Sequence, residues 1–194
     1  MPVTTASRGE RLYIDANVIV YYFYTRQRED FSRKARNLLQ KIENNKFEGV
    51  VSSLTLMEVM KSLRELLVRY GGIHRVDEVE KIIREALSAL FAIRNIRIVE
   101  GRPPEFKPMR ETQELHFCTV CNEALGILRE CPGKPHVDRE TGETVHMGLH
   151  VPDFFHVVLA KKCQCDKLAT FDWDFKEAQN EIVPLILQDY NTIW

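Results

Sequence analysis

Arg11-Leu-Tyr-Ile14-Asp15-Ala16-Asn17-Val18-Ile-Val-Tyr-Tyr-Phe-Tyr24 is the stretch that decides the fold. Its first four residues are a β-type apolar run that stops abruptly at a carboxylate, and a second apolar run, Val18 to Tyr24, follows at once. Strands of this kind, where helices separate them, belong to a layered α/β protein. The rest of the chain repeats this alternation.

Phe31, Ala35, Leu38, Leu39 and Ile42 lie at helical spacing, which predicts a helix capped by Asp30 and reaching about Lys46. Gly49-Val-Val-Ser52 predicts a short buried strand, and Thr55 to Tyr70 a helix stopped by Gly71-Gly72. A helix over Asp77 to Arg94 carries Val79, Ile83, Ala86, Leu87 and Leu90 on one stripe, and Ile96-Arg-Ile-Val99 is the next strand, closed by Gly101 and Pro103-Pro104. Glu111 to Glu130 reads as helix and Cys131 to Met147 as a loop or hairpin. Pro152 suits the first turn of a helix reaching Lys162, Lys167 to Phe171 is a strand, and Val183 to Leu187 the last one. Short strands separated by helices predict a parallel sheet, with ligands beyond the carboxyl ends of its strands.

At 194 residues, 44% hydrophobic and 28% charged, the chain suits a single globular domain. We expect a flexible tail over residues 1–10 and one domain over 11–190, with an elaboration at about 105–150. No apolar stretch reaches the ~18 residues that span a bilayer, and the first residues carry no apolar signal region, so the expected location is cytoplasmic and away from membranes. With 27 basic and 28 acidic residues the net charge is −1, which argues against a nucleic-acid coat protein. It argues little against an enzyme whose site brings its own cation. Five cysteines are too few for a disulfide scaffold in a chain this long.

Four acids fall just past a predicted strand or in the first turn of a helix: Asp15, Glu58, Asp153 and Asp172. Each has an ordinary structural reading beside it. Asp15 and Asp172 suit a helix cap or an Asx turn. Glu58 fits a capping box with Thr55 and points with Lys61, Ser62 and Glu65 onto a polar face. Asp153 is harder to explain away, because from Pro152 to Ala160 the only other polar side chain is His156. A buried carboxylate costs several kcal/mol unless paired or metal-bound. In a parallel α/β sheet all four positions converge at one edge, where like charges need a cation. Hard oxygen ligands suit Mg²⁺ or Mn²⁺, and two such ions can activate water and stabilise a leaving oxygen in phosphodiester displacement.

The segments Ile14-Asp-Ala-Asn17, Ser53-Leu-Thr-Leu-Met-Glu58-Val59, His150-Val-Pro-Asp153 and Leu168-Ala-Thr-Phe-Asp172-Trp-Asp174-Phe175 resemble, in this order, the motifs of PIN domain ribonucleases of the VapC-like kind. The resemblance covers most of residues 11–190. It implies a three-layer α/β/α fold with a five-stranded parallel sheet and metal-dependent endoribonuclease activity. It also implies direct metal ligation by Asp15, Glu58 and Asp153, with Asp172 completing the site. Asn17 and Thr170 become hydrogen-bonding supports, with Asp174 a lesser candidate. Homodimers and an antitoxin partner are implied by the VapC toxins. The chain is longer than the compact toxins, with a long helix and a Cys/His-rich loop inserted before Asp153, which bears on the toxin role more than on the chemistry.

Within that insertion Cys118-Thr-Val-Cys121 has metal-ligand spacing, and Cys131 with His136 would complete a tetrahedral Zn²⁺ site. The segment reads as helix and lacks a second tight pair, so buried thiols are the expected outcome and zinc the minor alternative. Cys163-Gln-Cys165 reads as incidental, at a helix end. Two other functional readings stand beside the ribonuclease: a PIN-like RNA-binding or assembly module without turnover, against which the intact acid set argues, and a phosphotransfer enzyme with Asp15 as nucleophile. The latter chemistry favours a second acid two residues on, where this chain has Asn17.

Overall fold

A computed structural model of the protein describes residues 9–24, 28–99, 123–124, 127, 134–137, 144–147 and 149–188. Its elements, in chain order, begin with β1 (Glu10–Ile14), α1 (Ala16–Phe23), α2 (Glu29–Glu43), β2 (Phe47–Ser52) and α3 (Ser53–Arg69). There follow α4 (Val76–Ala92), β3 (Ile96–Val99), β4 (Lys134–Val137), β5 (Thr144–Met147), α5 (Val151–Lys162), β6 (Lys167–Thr170), a 3₁₀ segment (Trp173–Ala178) and β7 (Val183–Ile186). β1, β2, β3, β6 and β7 form one five-stranded sheet in the order β3-β2-β1-β6-β7, every pairing parallel. β4 and β5 pair antiparallel as a separate two-stranded sheet, so the Cys131 to Met147 segment contains a hairpin.

The central strands β1, β2 and β6 are buried on both faces toward their carboxyl ends, whereas the edge strand β3 keeps Arg97 and Ile98 exposed. Their side chains alternate between two cores as the pleat requires. Leu12, Ile14, Val51, Ala169 and Leu185 join the core under the first four helices. Tyr13, Val50, Leu168 and Ile186 join the other, with Phe154, Val157 and Val158 of α5. The expected stripes hold: Phe31, Ala35, Leu38, Leu39 and Ile42 of α2 are all buried, as are Val79, Ala86 and Leu90 of α4.

Boundaries shift in instructive ways. Val18 to Tyr24, whose type the sequence left open, is α1: Val18, Ile19 and Val20 are buried in the first core. Asp30 sits in the first turn of α2 rather than capping it; the cap position is Arg28, without a side-chain bond. Residues Glu111 to Glu130 are described only at 123, 124 and 127, all helical, with Ala124 and Ile127 buried in the second core. Cys118, Cys121, Cys131 and the side chain of His136 lie outside the described residues, as do Gly101 and Pro103-Pro104. Cys163 and Cys165 are half-buried against the second core, and burial raises both thiols, the latter to about 12. No described helix is long and apolar enough to cross a membrane.

Gly49 lets β2 pass close beneath α2. A Cβ there would stand 2.9 Å from Ile14 Cδ1 and 3.2 Å from Ile42 Cδ1, both buried. Overfilling such a site costs ~1–3 kcal/mol. Gly49→Val should therefore lower the unfolding free energy by an amount in that range, read as a lower urea midpoint with the slope of the transition unchanged; an unaltered midpoint would mean that the two isoleucines move aside freely.

Candidate functional site

The sheet changes its direction of growth at β1: β2 and β3 lie to one side and β6 and β7 to the other. At such a switch point the loops after the two central strands part and leave a crevice at their carboxyl ends. The chain fills this crevice with acid. An open cleft of about 370 Å³ is lined by Asp15, Asn17, Glu58, Asp153 and Asp172, together with Ala16, Val20, Tyr21, Tyr24, Lys61, Ser62 and Leu66.

Asp15 ends β1 and caps α1. Its backbone N–H bonds Ala169 O at 3.0 Å, and its Oδ1 accepts from Ala16 N at 2.6 Å. The buried Thr170, last residue of β6, donates its hydroxyl to Asp15 Oδ2 at 2.6 Å. That hydroxyl oxygen accepts in turn from Asn17 Nδ2 at 2.9 Å and from Asp172 N at 2.9 Å, while Asn17 Oδ1 accepts from Phe171 N at 3.0 Å. Asn17 and Thr170 thus tie the end of β1 to the end of β6. Asp172 caps the 3₁₀ segment by accepting from Asp174 N at 2.8 Å; Asp174 itself is exposed and does not line the cleft.

Glu58 comes from α3, and here the local reading changes. The cap of that helix is Ser52, whose Oγ accepts from Thr55 N at 3.1 Å, so Thr55 and Glu58 do not form the expected capping box. Glu58 is free to face the cleft, where its Oε2 lies 2.7 Å from His156 Nε2. Asp153 is the acid that holds a capping box: its Oδ2 accepts from His150 N at 2.6 Å at the start of α5. The two carboxylates have exchanged the structural roles that their local sequences suggest.

His156 is the residue that sequence reasoning missed as part of the site. It is fully buried on α5, one turn beyond Asp153, and its Nδ1 lies 2.9 Å from Tyr13 Oη. Asp15, Glu58 and His156 each offer a ligand atom within 4.8 Å of the others, the group among the described residues close enough to share one ion. The available signal was its isolation: a lone imidazole on an otherwise apolar helix needs polar partners from elsewhere in the fold.

The electrostatics are those of charges crowded with little water. Burial raises the Asp15 carboxyl above its ordinary value and Glu58 adds to the rise, against the pull of His156, Thr170 and the Ala16 N–H. Burial also raises Asp153, to about 6, with repulsion from Asp15 and Asp172 opposing the His150 N–H and His156. Burial alone would lower His156, but the Glu58 bond and the nearby charges of Asp15, Glu58 and Asp153 outweigh it and hold the imidazole above its usual value. Such a site gains from any added positive charge, and its carboxylate donors are those a hard divalent cation takes.

Comparison with known proteins agrees with this architecture. A sequence model of the PIN domain matches residues 12–111. No curated protein matches the sequence. Among solved structures, VapBC2 from Rickettsia felis, described as bound to a DNA fragment from its promoter, superposes with a TM-score of 0.52 at 14% identity, over 90% of this chain and 96% of that one. Mycobacterium tuberculosis VapC20, described as a sarcin–ricin loop cleaving toxin, gives 0.51 at 14% identity, over 86% and 94%. With the family match running from β1 past β3, and the same overall fold shared with VapC structures, the chain belongs to the PIN domain family.

Proposed function

We propose that this chain is a metal-dependent endoribonuclease that hydrolyses RNA phosphodiester bonds in the cleft beyond β1 and β6. The observation that carries the reading is the company Asp15 keeps. It is a buried carboxylate at the switch point of the sheet, sharing one cleft with Glu58, Asp153 and Asp172. Burial works against the charged forms of Asp15 and Asp153, and the acids beside them add repulsion, so the cleft favours an added cation.

On this reading Asp15, Glu58, Asp153 and Asp172 hold Mg²⁺ or Mn²⁺, and Asn17 and Thr170 orient them by hydrogen bonds. When bound, such ions neutralise charge on the phosphate and make water a competent nucleophile near neutral pH. The chain's own residues do the holding. Thr170 and the Ala16 N–H fix both oxygens of Asp15 yet leave further lone pairs open to the cleft. Lys61 lines the same cleft and offers a cation to a backbone phosphate, and Tyr24 offers an aromatic face to an unstacked base. Asp174, being exposed, serves the turn. The likeness to VapC20, described as a cleaving toxin, supports extending the reading to a toxin role, and with it we propose a homodimer and an antitoxin partner.

An RNA cleavage assay in Mn²⁺ tests the proposal. Wild-type protein should cut RNA, EDTA should stop it, and Asp15→Asn should lower the rate by more than about a hundredfold, since loss even of a supporting group around a metal commonly costs 10–100-fold. Undiminished cutting by Asp15→Asn sinks the reading.

A second test uses the metal-free protein. Asp153, raised to about 6, binds its proton more tightly folded than unfolded, so its contribution to stability falls as pH rises from the ordinary aspartate value through about 6. In EDTA, Asp153→Asn should therefore gain Tm relative to wild type between pH about 4 and about 7. Saturating Mn²⁺ should reverse the order at the higher pH, because only wild type keeps the full donor set.

A further inference from the structure

Buried beneath the acids is a polar chain that extends well beyond the capping of α3 by Ser52. Ser52 Oγ and Thr55 Oγ1 lie 3.1 Å apart, and both contact Tyr13 Oη, at 2.6 and 3.2 Å. Tyr13 Oη reaches His156 Nδ1 at 2.9 Å, and His156 Nε2 reaches Glu58 Oε2 at 2.7 Å. Tyr13, Ser52, Thr55 and His156 are all 0% exposed, whereas the Glu58 side chain is 28% exposed and lines the cleft. The chain therefore runs from the inside of the sheet outward and ends on one oxygen of Glu58.

The direction of the last bond follows from the donors. An ionised carboxylate only accepts, so His156 Nε2 carries the proton toward Glu58 whether the ring is neutral or charged. Tyr13 Oη can donate to Nδ1 of the neutral ring or accept from it when charged, because Ser52 and Thr55 can take or supply the remaining hydrogen. Either way Nε2–H stays on Glu58 Oε2. The ring itself is held by its burial on α5 and by the tilted Tyr13 ring, 5.6 Å away between centroids.

We infer that His156 is a positioning residue for the metal site. It engages Glu58 Oε2 and locks the carboxylate rotamer, so that the carboxylate stays facing the cleft it shares with Asp15, with Tyr13 setting the orientation of the imidazole from behind. This rests on the metal-site reading above and goes further: the ligand from α3 is aimed by a histidine from α5 through β1. A long glutamate side chain left to itself would spread over several rotamers and lose entropy on binding an ion. The buried relay removes that loss in advance.

Mn²⁺ binding to the full chain, followed by the loss of the free-ion paramagnetic resonance signal, tests this apart from turnover. Wild type should bind and Asp15→Asn should not; equal binding by those two would sink the metal-site reading itself. His156→Leu should bind ~10–100-fold more weakly, and His156→Gln, whose amide N–H can reach Glu58, should recover most of that loss. If His156→Leu does not fold, Tyr13→Phe carries the test, with binding expected to weaken by ~3–10-fold. Wild-type affinity in His156→Leu or Tyr13→Phe, while Asp15→Asn loses the ion, overturns the positioning role and leaves the metal site standing. A directly bound imidazole nitrogen, seen as ¹⁴N coupling to Mn²⁺ in wild type, would also overturn it.

Discussion

The hydroxyl of Thr170 donating to Asp15 is the small interaction on which the cleft depends. It joins the ends of two strands that are neighbours in the sheet but separated by most of the chain. Because β1 pairs with β2 on one edge and β6 on the other, its carboxyl end is the place where connections diverge. Asn17 then grips the same hydroxyl and the backbone of Phe171. A polar clasp of three side chains fixes the opening between two loops that the sheet alone would leave free to part.

Around this clasp the protein holds an imbalance of charge. Asp15 is buried, Asp153 is pushed toward neutrality, and His156 is pushed the other way by the same neighbours. Burial drives the rise of both acids, and the acids in turn hold the proton on the imidazole against the burial that would remove it. The imidazole partly offsets the acids in the absence of other cations, and breaking such a buried cluster by removing one member leaves an uncompensated partner. The cluster is therefore poised between two ways of being neutralised, from within by His156 and from the cleft by an ion.

Much of this was legible in the residues themselves. The strands were readable because a parallel sheet covered on both faces needs near-continuous apolar runs, and α2 and α4 because each buries one stripe. The order of the acids was readable because each follows a strand or opens a helix. What could not be read had specific causes. Val18 to Tyr24 is apolar throughout, and neither helical nor strand periodicity shows in a short segment buried nearly all round. Thr55 and Glu58 have capping-box spacing, but Ser52 lies three residues earlier and competes for the same N–H group. His156 was given no role by its local sequence because its partners, Tyr13 and Glu58, come from elements far away along the chain. Local pattern locates acids well; it does not show which of them a distant imidazole will reach.

The clasp has a consequence for the order in which the molecule comes into being. Asp15 and Thr170 are 155 positions apart, and Glu58 and His156 are 98 apart. A nascent chain emerging from the ribosome carries β1 and the four helices that follow long before either bond has a partner, and before β6 and β7 can complete their core. Domains generally gain structure as synthesis proceeds, and contacts of such long range close last. The cleft is thus the final feature to be assembled, and a partly synthesised chain carries its acids dispersed and unsupported.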